Sequence, residues 1–212
     1  MQLYYSPGAC SLAVTMALER TRAHYESIAV PLREGAQLKA EYLAVNPRAR
    51  VPALVVDGQV LTEVVAILAY LDERYPQAGL LPRGDIWRRA KAWEWLMYLA
   101  STVHPLYRAY WKPSWFSDEE AVHAALSAGA DKRLVQLYAE LDAALADRPF
   151  LLGDAPTAVD YYALVFARWG SVLSVPTSKH PRLAAWQKRA VALPEVQRAA
   201  EREAIDPLRR AA

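Results

Sequence analysis

Strand-type sequence stops early in this chain, and that asymmetry constrains its fold more than any other feature. Residues 3–5 form a short β-type run, halted by Ser6-Pro7-Gly8. Residues 11–21 read as a helix with Leu12, Met16 and Ala17 on one face. A second strand at 25–30 follows, then a short helix at 37–43 ended by Asn46-Pro47. The runs 53–56 and 59–61 flank Asp57-Gly58, a two-residue hairpin signal. Residues 63–75 close the series as a helix carrying Val64, Ile67, Leu68 and Leu71 at helical spacing, stopped by Pro76. The order is β-α-β-α-β-β-α. Its early β-α-β units call for parallel pairing through right-handed crossovers, and the hairpin adds an antiparallel edge.

Past the Pro- and Gly-rich stretch 76–84 no strand signal follows. Residues 86–110, 118–145, 157–169, 181–193 and 194–204 read as helices, and 206–212 as a frayed end. The pattern predicts an α/β domain of thioredoxin-like order over 1–78, a linker over 79–85 and an all-α domain over 86–212.

Composition narrows the function classes. Apolar residues are 54% of the chain, enough to exclude disorder and to fill a core. The net charge is +2 and the arginines are dispersed, so no nucleic-acid footprint is expected. A single cysteine excludes an internal disulfide and fits a reducing compartment. The start MQLYYSPGAC lacks a basic segment followed by an apolar one, and no apolar run nears the roughly 18 residues of a membrane span. A cytoplasmic protein with no membrane partner is expected.

Three short segments carry chemistry. Ser6-Pro7-Gly8-Ala9-Cys10-Ser11 joins a strand to a helix, which sets Cys10 at or near a helix N-terminus. Unpaired N–H groups and the positive dipole end favour a thiolate there, with a depressed pKa, although a lone Cys also serves as a small apolar filler. Val51-Pro52 directly precedes a strand, where a residue lacking an N–H belongs. Thr62-Glu63 opens the third helix with a capping hydroxyl and an acid at its positive end.

The helical half adds two signals. Thr157 and Asp160 fit a capping box, a structural feature. His104 precedes Pro105 inside a helical pattern, so a kink is expected that aims the imidazole at the interdomain cleft. The aromatic run 107–116 follows. Its Tyr107, Trp111 and Trp115 are expected either to line an apolar substrate pocket or to pack in a core or dimer interface. His24, His123 and His180 do not cluster, so no metal site is expected.

Taken together, YYSPGACSL, NPRARVPAL and LTEVVAILAYL resemble the bacterial beta-class glutathione transferases. So do Glu94-Trp95-Leu96, residues 100–104, Leu152-Gly153-Asp154 and residues 157–160. The resemblance runs from Met1 to about Ala204 and implies the following roles. Cys10 lies beside the glutathione sulfur, with Tyr5 and Ser11 assisting the thiolate and His104 pointing toward the site. Val51, before a cis Pro52, pairs its backbone with the cysteinyl unit of glutathione. Glu63 and the backbone of Val64 hold the γ-glutamyl end. Arg33, Lys39 and Arg50 are alternatives for the glycine carboxylate. The chain departs from the pattern at Val64, where Gly or Ser is usual, at Met97, where Asn is frequent, and around Arg33-Glu34-Gly35, where a Lys-rich stretch is missing.

The implied activity is conjugation of the glutathione thiolate, as co-substrate, to a small hydrophobic electrophile, by a homodimer without metal. Residues 87–98 would supply an apolar self-associating face. Two alternatives stay open at this point. One is thiol–disulfide exchange or reductive dehalogenation through Cys10. The other is a non-catalytic binding protein on the same fold.

Overall fold

The computed structural model describes residues 1–210. Strands β1 (Gln2–Tyr5), β2 (Glu26–Ala29), β3 (Ala53–Val56) and β4 (Gln59–Thr62) form one sheet in the order β2-β1-β3-β4. β1 and β2 run parallel, as a strand–helix–strand unit requires. β3 runs antiparallel to β1, so only the first of the two expected crossover units yields a parallel pair. The hairpin β3–β4 turns at Asp57 (φ 49°) and Gly58 (φ 79°), the double positive φ that an Asp-Gly turn supplies.

Helix α1 (Leu12–Thr21) is the hub. Every residue from 12 to 19 is buried. It packs against α3 (Val64–Arg74) of its own half and against two helices of the other half, α7 (Ala158–Trp169) and α9 (Pro194–Glu203). The expected helix at 37–43 shrinks to α2 (Ala40–Leu43), because Lys39 is extended (ψ 149°) and separates it from a short turn at Ala36–Leu38.

The helical half contains α4 (Ile86–Tyr98), α5 (His104–Trp111), α6 (His123–Ala144) and α8 (Pro181–Val191), with α7 at the centre. All of α7 is buried, and its start is a capping box of Thr157 and Asp160, as the sequence predicts. Asp160 also accepts from Leu151 N–H at 2.9 Å and from the Trp186 indole at 3.0 Å, so one carboxylate ties three segments together. Between α4 and α5 the chain forms a π-turn, Leu99–Val103, in which His104 N–H donates to Leu99 O, five residues back. The expected kink at Pro105 takes this form: the wider turn accommodates a residue with no N–H of its own. The segment 206–210 is not frayed. Arg168 Nε donates to Asp206 O at 2.6 Å, and Arg210 N–H donates to Ser171 Oγ at 3.1 Å. Ala211 and Ala212, at the end of that expected frayed tail, lie outside the described residues.

Candidate active site

The loop from Ser6 to Ser11 leaves β1 and enters α1 with Cys10 one residue before the N-cap, Ser11. Cys10 is 7% exposed, and its Sγ–H donates to the Val51 carbonyl at 3.4 Å. The Val51–Pro52 bond is cis. Because β3 begins only at Ala53, Val51 precedes the register of the sheet, and its carbonyl meets the thiol directly. Burial pushes the Cys10 thiol up to about 12, outweighing backbone N–H groups at the helix start and the nearby Arg108 cation. This reverses the depressed pKa expected from a helix N-terminus: desolvation of a buried thiolate costs more than the dipole returns.

Glu63 is the N-cap of α3 and has φ 68° and ψ 123°, a strained conformation for a residue with a side chain. It turns the chain from β4 so that the first N–H groups of α3, unpaired within the helix, stand at the cleft. The Glu63 charge acts on Cys10, which places both on one rim. Val64 is 5% exposed, and its branched side chain joins the core.

Of the neighbours assigned to the thiol, Ser11 is occupied elsewhere. The Ser11 hydroxyl accepts from Ser6 N–H and donates to Ser6 O, both at 3.2 Å, which clasps the loop. The Tyr5 phenol is raised by burial and then by Glu203, a residue of α9. His104 is half-buried against the rings of Phe166 and Trp169, both with centroids at 5.7 Å. Burial, then Arg108 and Arg50, pull its pKa down to about 4, so it is a neutral imidazole at pH 7.

The aromatic trio divides. Tyr107 is fully buried, with its hydroxyl 2.6 Å from Tyr138 Oη and donating to Phe166 O at 3.2 Å. It packs as core, the second of the two expectations for that residue. Trp111 packs edge-on to Trp169 at 5.0 Å, and the Arg210 guanidinium covers it at 3.6 Å. Trp115 is 59% exposed. Two guanidiniums approach its ring, Arg108 at 4.0 Å and Arg50 at 5.6 Å.

Arg50 therefore reaches toward the helical half, whereas Lys39, the N-cap of α2, lies on the β2 side beside Tyr4 and Tyr42. Arg33 acts on Arg210 of the C-terminal segment. Arg108 is the residue that sequence reasoning missed. Its place one turn after His104 was the available signal.

A second group of residues fixes the thiol loop from behind. Glu203 Oε2 accepts Gly8 N–H at 2.8 Å, and Trp169 Nε1 donates to Gly8 O at 2.8 Å. Gly8 has φ 67°, a backbone conformation that favours glycine, and the Arg168 guanidinium packs within 2.6 Å of where a Cβ would lie. Among the described residues, no three His, Cys, Asp or Glu side chains group as a metal site. Likewise no helix of the described residues is long and apolar enough to cross a membrane.

The arrangement joins a buried thiol to the backbone of Val51, with Glu63 at the start of α3 beside them. Residues 8–74 match the family model for the N-terminal domain of glutathione S-transferases, and residues 120–189 match that for the C-terminal domain. The chain is 33% identical to Glutathione S-transferase GST-4.5 of Xanthomonas campestris, over 97% of this chain and 100% of the relative. A glutathione transferase homologue from Sulfitobacter with bound glutathione superposes with a TM-score of 0.90 at 28% identity, covering 95% of this chain and 97% of that one. A bacterial beta-class glutathione S-transferase from Sphingomonas chungbukensis gives 0.84 at 30% identity, covering 97% and 100%. With both domain models matched and a third of its residues shared with a relative of equal extent, this chain belongs to the glutathione S-transferase family.

Proposed function

We propose that the protein conjugates glutathione to small electrophiles in the cleft between its two halves. The observation that carries this reading is the Cys10–Val51 contact, which brings the thiol loop and the cis-proline edge to one point. Val51 would pair through its backbone with the cysteinyl unit of glutathione. The N–H groups at the start of α3, with Glu63 beside them, would hold the γ-glutamyl end through dipole and hydrogen bonds. Lys39 and Arg33 would serve the glycine end.

In a substitution reaction the glutathione sulfur forms a C–S bond while the bond to a leaving halide breaks, and the thiol proton passes to solvent. The protein contributes position and charge: two reactants held within reach, and cations facing the developing negative charge. Neutral His104 and the Arg108 guanidinium stand where they can hydrogen-bond an acceptor from the helical half.

Thiol–disulfide exchange and reductive dehalogenation through Cys10 are the less favoured readings. Both start from a thiolate, and burial holds the Cys10 proton up to a pKa of about 12. A homodimer is proposed from exposed apolar side chains on α4, where Ile86 is 90% and Trp87 76% exposed, with Met97 on the same helix. The test combines retention on immobilised glutathione with conjugation of chlorodinitrobenzene. Retention with turnover supports the transferase; retention without turnover supports a binding protein; loss of both overturns the reading.

A further inference from the structure

Several arginines in this fold are answered by carboxylates. Arg198 and Arg202 meet Glu19, Arg83 and Arg89 meet Asp72, and Arg20 meets Glu195. Two arginines at the cleft are not. Among the described residues neither Arg50 nor Arg108 has an ion pair, yet the two guanidiniums approach one indole, that of Trp115, at 5.6 and 4.0 Å. They come from opposite walls. Arg50 immediately precedes Val51 on the sheet side, and Arg108 lies on α5, one turn after His104.

Burial, and then Arg50, disfavours the charge on Arg108, and both arginines disfavour a charge on His104. Arg108 also interacts with the Cys10 sulfur, so the pair stands beside the reacting region. Glu63 faces Cys10 too, but pairs with neither arginine among the described residues. Two like charges converging on one ring form a site that an anion would complete. A guanidinium fork suits a planar carboxylate, and an indole beside it suits a flat ring attached to that carboxylate.

We propose that Arg50, Arg108 and Trp115 form a carboxylate-binding subsite for the second substrate, so that the preferred electrophile is a flat molecule carrying an acid group. This rests on the transferase reading and narrows its substrate class. A carboxylate could also come from the glycine end of glutathione. Arg108 and Trp115 both belong to the helical half, and that assigns the subsite to the acceptor.

The experiment reads binding without turnover. Unreactive dinitrobenzoate and its methyl ester are titrated against the full chain by tryptophan fluorescence quenching, with and without saturating S-methylglutathione. The wild type should bind the acid about tenfold more tightly than the ester, the worth of a charged hydrogen bond. Arg108→Gln and Arg50→Gln should each erase most of that preference. Arg50 is exposed, so its variant reports even if the Arg108 variant folds poorly. S-methylglutathione should leave the affinity for the acid unaltered. Equal affinity for acid and ester in the wild type would overturn the proposal. So would displacement of the acid by S-methylglutathione, which would give the pair to the glycine carboxylate. Conjugation of uncharged chlorodinitrobenzene, measured on the same wild-type preparation, tests the transferase reading separately.

Discussion

Glu203 gives the chain a pH dependence that one substitution removes. It sits in the last turn of α9, 3% exposed, with Oε2 accepting Gly8 N–H at 2.8 Å and Oε1 accepting the Thr15 hydroxyl at 2.7 Å. Burial pushes its carboxyl up to about 7 from 4.5, although both hydrogen bonds and Arg168 pull the other way. Between those two values the folded state holds a proton that the unfolded state has released. Stability therefore falls as pH rises through that window. It is greatest below 4.5, and roughly 3 kcal/mol is lost once pH passes 7.

Glu203→Gln keeps the shape and ends the titration. The amide oxygen still accepts Gly8 N–H, and its NH₂ donates to Thr15 Oγ1, whose own proton turns to Ser11 O, 3.4 Å away. Urea unfolding of both proteins should give nearly equal stabilities at pH 5 and a variant more stable by roughly 3 kcal/mol at pH 8.5. His104 contributes the opposite slope. Its folded pKa of about 4 lies below the ordinary 6.5, so its stability contribution grows as pH rises through that interval. His104 is present in both proteins, so the difference between them isolates Glu203. Parallel pH profiles for the two proteins would refute the reasoning.

Two further outcomes follow from the site. Alkylation of Cys10 by iodoacetamide in the free protein should rise about tenfold per pH unit up to pH 10 without a plateau, because burial keeps the thiol protonated; half-maximal reactivity below about pH 8.5 would show an activated thiolate instead. Trp111→Ala should cost about 2–3 kcal/mol of unfolding free energy through lost packing on Trp169, with KM for a neutral acceptor changed less than twofold; a raised KM at unchanged stability would put Trp111 on the acceptor wall.

What could be read from the sequence was local. Asp57-Gly58 specifies its turn by backbone preference alone, and Thr157 with Asp160 specifies a helix start from four consecutive residues. The thiol loop and Val51-Pro52 were visible as segments, but their contact joins residues 41 apart and required the fold. Tyr107 shows where periodicity runs out. The π-turn inserts an extra residue before α5, which rotates the following face by about 100° relative to a continuous helix. A bend read from Pro105 alone does not fix which way Tyr107 then faces. Its hydroxyl partners, Tyr138 and Phe166, come 31 and 59 residues later. Charged residues hid in the same way. Asp72 looks like a solvent-facing member of α3, yet it is fully buried, taking Leu81 N–H at 3.0 Å and the guanidiniums of Arg83 and Arg89.

Those hidden charges decide how the cleft is held open. Asp72 joins α3, whose start would grip glutathione, to α4 of the helical half through Arg89, at 3.1 Å. At the far end of the chain Glu203 and Trp169 grasp the two sides of the Gly8 peptide, two residues before Cys10. Glu19 of α1 is bound by Arg198 and Arg202 of α9 at 2.9 Å each. The thiol loop, α1 and α3 are thus each tied to the other half. Desolvated ion pairs of this kind are poor sources of net stability, but losing one partner leaves an uncompensated buried charge. Their consequence is positional: α7 and α9 hold the Cys10 loop from outside, in addition to the bonds that clasp it from within.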